Sequence, residues 1–305
     1  FFTGTAEEGK AYIREGMKLG IPGVVTFPKG EGLRRALGEI RVEDLLLETD
    51  TPFAAPVPYR GRQNEPAYVI EVAREIARIK GLTLEDVDRV TEVNTRKLFR
   101  LPDPRKPKIA YTIRNSTYLN ITNRCTLRCV FCPKFKDYEV KGYYLELPEE
   151  PEFSEILSAL EEENWRIRDE VVFCGYGEPT QRLPLLIEVA RYLKSQGARR
   201  IRLNTDGLGN LIHGRNIVTE LQGLVDAVSI SLNAPDPDTY ARLCPNPYGK
   251  DAYPHVLSFI RACVGVIPEV VATVVGVPRL DVERCRQIAE GLGAVFRYRP
   301  LNEVG

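Results

Sequence analysis

Three of the seven cysteines fall within eight residues, in the run Arg124-Cys125-Thr126-Leu127-Arg128-Cys129-Val130-Phe131-Cys132. Thiolates are soft ligands that suit zinc or iron–sulfur. A closed zinc site needs four ligands, and structural zinc sites usually draw their cysteines in two pairs. This chain has no second Cys-x2-Cys pair, and its only histidines are His213 and His255. Most iron–sulfur clusters take four cysteines, so three converging thiolates favour a [4Fe–4S] cluster with one iron left open to a small chelating ligand. A three-cysteine zinc site and a set of plainly buried thiols are the alternatives. An odd cysteine count with this clustering argues against a disulfide framework and for a reduced, cytoplasmic protein with a metal or redox site. The remaining cysteines, Cys174, Cys244, Cys263 and Cys285, show no paired spacing and read as small buried hydrophobes, with Cys244 the one to watch.

The chain around this loop reads as α/β. Its 305 residues, 43% of them hydrophobic, are enough for two domains or one large one. Lys plus Arg (42) balances Asp plus Glu (42), which gives no electrostatic case for a nucleic-acid or membrane partner. No apolar run reaches the ~18 residues that span a bilayer, and no secretory signal is visible. The chain opens Phe1-Phe2, and Met17 is its only methionine, so sequence is expected to be missing upstream. In the first hundred residues, Ile21–Phe27 and Asp44–Glu48 read as buried strands, and Thr51–Gln63 as loop. Asn64 and Pro66 open a helix with Val69, Val72, Ala73, Ile76 and Ala77 on one face, which Gly81 closes. Thr83 and Asp86 form a capping box for the next helix. A Pro-rich stretch (Pro102, Pro104, Pro107) marks a linker over 103–107, between units 1–102 and 108–305.

Beyond the linker, strands are expected at Thr117–Ile121, Glu170–Cys174, Arg200–Asn204, Ala227–Leu232, Val270–Val275 and Val295–Tyr298. Helices over Ser154–Glu163, Leu183–Ser195 and Asp281–Gly291 alternate with them. Such alternation argues for a parallel sheet or partial barrel, with ligands at the carboxyl ends of its strands. Ser229, Ser231 and Asn233 alternate with Ile230 and Leu232. Their polar groups would need partners inside a barrel.

The Cys-x3-Cys-x2-Cys spacing, with an aromatic before the last cysteine, resembles the signature of radical S-adenosylmethionine (SAM) enzymes. Leu119-Asn120-Ile121-Thr122-Asn123-Arg124-Cys125, Phe173-Cys174-Gly175-Tyr176-Gly177-Glu178-Pro179-Thr180 and Ser231-Leu232-Asn233-Ala234-Pro235 resemble the TatD-associated members of that group. The resemblance implies a partial (β/α)6 barrel with cluster and SAM at its top, the cluster held by Cys125, Cys129 and Cys132. It further implies that Gly175, Tyr176, Gly177 and Glu178 meet the amino group of the SAM methionine, although Tyr176 stands where the family has a second glycine. Ser229, Ser231 and Asn233 would meet the ribose, and Gly276 and Phe131 would lie by the adenine. The implied reaction is reductive cleavage of SAM to a 5′-deoxyadenosyl radical, which abstracts hydrogen from a substrate the sequence does not name. A flavodoxin or ferredoxin would supply the electron. Asn204-Thr205-Asp206-Gly207 reads either as a turn or as part of the substrate side.

The first hundred residues resemble the C-terminal third of TatD-type metal-dependent hydrolases. The resemblance rests on Phe2-Thr3-Gly4, on Leu46-Leu47-Glu48-Thr49-Asp50-Thr51-Pro52-Phe53-Ala54-Ala55-Pro56, and on Arg62-Gln63-Asn64-Glu65-Pro66-Ala67-Tyr68. It implies the last strands and helices of an incomplete (β/α)8 barrel. Asp50 would be the strand-end carboxylate for divalent metal and attacking water, with Glu48 nearby. The family's His-x-His pair lies upstream of these residues. DNA is therefore expected as a partner only through an intact TatD-type domain. The alternative reading is a TatD-type DNA hydrolase to which the cluster half is accessory.

Overall fold

The computed structural model describes residues 1–301. The chain divides into two compact units, Phe1–Arg105 and the part from Lys106 onward.

The first unit is a small α/β layer. Strands β1 (Leu19–Ile21) and β2 (Leu45–Leu47) pair in parallel. Around them pack helices Ala6–Arg14, Glu31–Glu39, Val69–Lys80 and Leu84–Phe99. Their shared core includes Ile21, Val25, Leu37, Leu45, Ile76 and Val87. The expected strand Ile21–Phe27 is not formed. Pro22 has no N–H to give a ladder, and Gly23–Thr26 winds into a 3₁₀ turn that still buries Val25. The helix expected from Asn64 and Pro66 begins later. Pro66–Tyr68 is a 3₁₀ turn and the α-helix runs Val69–Lys80. The Asn64 side chain does not cap it but donates to Thr49 Oγ1 (3.0 Å) and the Phe53 carbonyl (2.7 Å). Gly81 does end the helix, at φ +60°. The capping box of Thr83 and Asp86 is complete in both directions. From that second helix Asn94 reaches back with its amide to the carbonyls of Val42 (3.0 Å) and Leu45 (2.7 Å), tying the helix to the start of β2.

The second unit is built on one seven-stranded sheet. Its strands are β3 (Ala110–Ile113), β4 (Ser116–Leu119), β7 (Glu170–Phe173), β8 (Ile201–Thr205), β9 (Ala227–Ser231), β10 (Glu269–Gly276) and β11 (Val295–Pro300); a separate hairpin of β5 (Glu139–Val140) and β6 (Tyr143–Tyr144) stands between β4 and β7 in the chain. The sheet order is β11-β10-β9-β8-β7-β4-β3, and every pairing is parallel except β3 with β4. Six parallel strands with intervening helices form the partial (β/α)6 architecture. The edge strand β3 and the β5–β6 hairpin are additions to the expected set. The hairpin turns through Lys141 and Gly142, both at positive φ (45° and 83°), the conformation that two-residue hairpin loops require. Helices Phe153–Glu162, Leu183–Ser195, Ala252–Cys263 and Val282–Gly291 cover the sheet. Their inward residues, such as Leu160, Leu186, Leu193 and Phe259, meet Phe173, Leu203, Ile230 and Val274 in one continuous core. Parallel strands bring all their carboxyl ends to one rim. The cysteine loop follows β4, Gly175–Glu178 follows β7, Asp206 follows β8 and Asn233 follows β9.

Candidate functional site at the carboxyl rim of the sheet

A cavity of about 220 Å³ opens at this rim. Cys125, Cys129, Cys132 and Phe131 form one wall; Gly175, Tyr176, Gly177 and Glu178, Asn204 to Asp206, and Ser229, Ser231 and Asn233 form the others. The structure thus gathers nearly every residue singled out in the second unit. Gly276 is the exception. It does not line the cavity, and a Cβ there would run into the Tyr298 ring, so its bare backbone makes room for that ring. Thr273 and Val275 of β10 face the cavity instead.

The cysteine loop is held from both sides. The backbone N–H of Arg128 donates to the Pro245 carbonyl (2.8 Å) and that of Val130 to the Leu243 carbonyl (2.9 Å). Asn120, at the exit of β4, donates to the carbonyls of Lys108 (3.1 Å) and Leu145 (2.8 Å). Asn123 donates to the Leu147 carbonyl (2.7 Å). All three thiols are half-buried. Burial pushes the Cys125 and Cys132 thiols up; for Cys129 the neighbouring Cys244 thiol is the larger cause and burial the second. Thiols raised this way ionise readily only beside a bound positive centre, because metal binding and proton release are linked. Among the described residues no three His, Cys, Asp or Glu side chains are grouped tightly enough to hold a single metal ion.

The opposite wall shows why glycine is needed after β7. A Cβ on Gly175 would strike the Asn120 side chain, and one on Gly177 would strike the carbonyl oxygens of Thr122 and Arg124. This close approach also lets the Glu178 N–H donate to the Arg124 carbonyl (2.7 Å), which joins the β7 turn to the cysteine loop. Glu178 itself is only 3% exposed. Its Oε1 accepts from the Thr180 N–H (3.0 Å), the Thr180 hydroxyl (2.7 Å) and the Thr205 hydroxyl (2.8 Å), and its Oε2 from the Asp206 N–H (2.7 Å). The Glu178 carboxylate is therefore engaged by the protein, whereas Oδ2 of the neighbouring Asp206 is buried without a partner. Burial raises the pKa of both acids, and for Asp206 the charge of Glu178 adds to it. A cation arriving in the cavity would relieve that strain.

Three further polar atoms wait without partners on the same walls: Asn204 Oδ1, Asn233 Oδ1 and Arg299 Nε. Asn233 sits at φ +56°, and its amide nitrogen lies 3.6 Å from Cys244 Sγ. Tyr176 turns its hydroxyl away to the Glu139 carbonyl and offers its ring to the cavity. His213 bonds the Thr180 carbonyl (2.7 Å) and so supports the Glu178 turn. Arg299, Thr273 and Cys174 also line the cavity; Cys174 precedes Gly175 in the run already singled out, whereas nothing in the neighbourhood of Arg299 marks it, since it lies on an exposed edge strand. In the first unit, Asp50 stands just beyond β2 with Oδ2 buried and unpartnered.

Comparison with known proteins found matches in both parts of the chain. A family model for the TatD related DNases matches residues 1–100, and one for the radical SAM superfamily matches residues 119–292. An uncharacterized metal-dependent hydrolase, YabD of Bacillus subtilis, is 40% identical over 100 residues, 33% of this chain and 39% of the relative. The 3′-5′ ssDNA/RNA exonuclease TatD of Erwinia billingiae is 39% identical over 106 residues, 33% of this chain and 41% of that protein. The chain thus spans about two fifths of the length of these relatives. A radical SAM methyltransferase from Sphaerobacter thermophilus overlays 63% of this chain and 68% of its own, at 20% identity and a TM-score of 0.42. The chain belongs to the radical SAM superfamily of enzymes and carries, ahead of that domain, part of a TatD-type domain.

Proposed function

We propose that this enzyme holds one [4Fe–4S] cluster on Cys125, Cys129 and Cys132 and binds SAM in the adjoining cavity. The observation that carries the reading is the meeting of three half-buried thiols with a ring of buried, unpartnered polar atoms across one small cavity. The donor set fits the group: soft thiolates for iron on one side, hard oxygen acceptors for an amino acid and a nucleoside on the other. When bound, cluster and SAM supply radical hydrogen-atom abstraction, chemistry that no amino-acid side chain provides.

The chain's own residues bind and orient. Asp206 Oδ2 is placed to accept from an ammonium, and Glu178 fixes Asp206 through its backbone N–H. Ser229, Ser231 and Asn233 offer hydroxyls and an amide to a ribose. Arg299 offers a cation to a carboxylate. Phe131 and Val275 give apolar surface and keep water from the cavity. The electron is supplied by a small redox protein of the flavodoxin or ferredoxin class. The TatD-type unit contributes Asp50 to a divalent cation, and DNA is reached only through an intact domain of that type. No helix among the described residues is long and apolar enough to cross a membrane.

The test is anaerobic incubation of the reconstituted protein with SAM and dithionite. The expected results are about four irons per chain, the content of one such cluster, and steady release of 5′-deoxyadenosine. Both should be lost in Cys125→Ala. Tightly bound zinc, or intact SAM after incubation, would reject the proposal.

A further inference from the structure

A second recess opens next to the cavity, beyond the ends of β9 and β10. It measures about 830 Å³, and its charged lining is Arg242, Arg279 and Arg284 with Asp236 and Asp281. Recess and cavity are neighbours along both strands. After β9, Asn233 faces the cavity and Pro235 the recess; at the end of β10, Val275 faces the cavity and Val277 the recess.

The charges in this recess are unevenly committed. Asp236 Oδ1 accepts from the Thr239 N–H (2.8 Å) and Asp281 Oδ1 from the Arg284 N–H (2.9 Å), so both carboxylates cap helices. The three arginines are exposed, and none forms an ion pair with an acid among the described residues. Arg242 reaches only the Thr239 hydroxyl (3.4 Å), and Arg284 only the Gln287 side chain (3.2 Å). By contrast Arg200, Arg202 and Arg215 of the same unit each hold a glutamate. Arg279 is also held at φ +66°, in the left-handed region that favours glycine. Guanidinium groups are planar forks of donors that match phosphate oxygens in pairs. At the carboxyl rim of an α/β sheet, where ligands gather, three exposed forks outside any ion pair around one recess define the chemistry of what enters.

We propose that this recess is a phosphate-binding subsite, formed by Arg242, Arg279 and Arg284, for a ligand carrying a phosphate mono- or diester beside the SAM cavity. The inference needs only the recess and stands whether or not the radical chemistry is as proposed above. The phosphate belongs either to a free nucleotide-like molecule or to a nucleic-acid strand, and the experiment separates these sources. Binding of inorganic pyrophosphate, a 5′-mononucleotide and a short single-stranded DNA is measured by calorimetry on the cluster-loaded protein, at low and physiological salt, with SAM affinity measured alongside. The same is done for Arg279→Gln, for the double variant Arg242→Gln/Arg284→Gln, and for Arg279→Lys. Saturable binding, weakened about tenfold or more in the Gln variants, partly kept in Arg279→Lys and with SAM affinity unchanged, is the expected result. Comparable binding of the small probes points to a free phosphorylated ligand; binding of the strand alone points to a nucleic-acid backbone. Absence of saturable binding by all three probes, wild-type affinity in the Gln variants, or equal loss of SAM binding would overturn the assignment.

Discussion

At the residue scale the central feature is a pair of buried acids, Glu178 and Asp206, of which only Asp206 keeps a free oxygen. Its carboxyl is raised well above the ordinary range by burial first and by Glu178 second. The folded protein therefore binds more protons than the unfolded chain, and its stability falls as pH rises through that raised range. Asp206→Asn removes the titration and the repulsion. The cofactor-free variant should melt at a higher temperature than the parent at neutral pH, with the difference shrinking as the pH falls towards 4. The same substitution should weaken SAM binding about tenfold or more through loss of a charge-assisted contact. A melting difference that grows on acidification, or unchanged SAM affinity, would count against this role. Gly177 is the second sensitive position. Its Cβ would meet backbone carbonyls that cannot give way, so Gly177→Ala should cost about 1–3 kcal/mol by overpacking and lower iron retention, read from a thermal melt and an iron assay. Much of this site was legible in the sequence, because cysteines, glycines and alternating serines carry their chemistry in their identity. Asp206 was ambiguous, since an Asn-Thr-Asp-Gly run also makes a turn. Arg299 was invisible, since its cavity placement depends on β11 pairing in register with β10, Arg299 beside Val275.

At the element scale the strands and helices of the second unit follow their punctuation closely. The helix Leu183–Ser195 has the bounds its sequence implies, and β7 to β11 lie within a residue or two of the apolar runs that mark them. The misreadings have local causes. Two valines after Pro22 resemble a strand, yet a proline that cannot donate closes β1 and the valines pack from a turn. Strand β3 follows a proline-rich linker and pairs antiparallel to β4 as an edge, and four residues give too little periodicity to read. Long-range side-chain ties are also silent in sequence. Asn94 bonds two carbonyls about fifty residues away, Val42 and Leu45, from a buried position. Asn94→Ala would leave both carbonyls without this donor, at a cost of about 1–3 kcal/mol. Hydrogen-exchange mass spectrometry should show faster exchange in Val42–Leu47 and in the helix Leu84–Phe99, with the second unit unaffected. Loss of protection throughout the chain would mean that Asn94 matters beyond its own unit.

At the scale of the whole molecule, two units with separate cores carry different chemical endowments. The first holds Asp50 just beyond β2, with a buried oxygen that no hydrogen bond satisfies, and residues 1–105 contain no histidine. A two-metal phosphodiesterase needs several fixed ligands for both ions and the attacking water. Residues 1–305 by themselves are accordingly expected to leave single- and double-stranded DNA intact in the presence of magnesium, manganese or zinc. Metal-dependent cleavage that disappears in Asp50→Asn would refute this. The second unit concentrates its reactive groups on one rim, where thiols and unpartnered oxygens share a cavity. On the function proposed above, these two walls serve one cofactor pair. The most direct measurement is the low-temperature electron paramagnetic resonance spectrum of the anaerobic, reduced protein, recorded without and with SAM. The expected signal is that of a single reduced [4Fe–4S] cluster that changes on addition of SAM; a reduced protein with no cluster signal, or with one indifferent to SAM, would rule out a shared site.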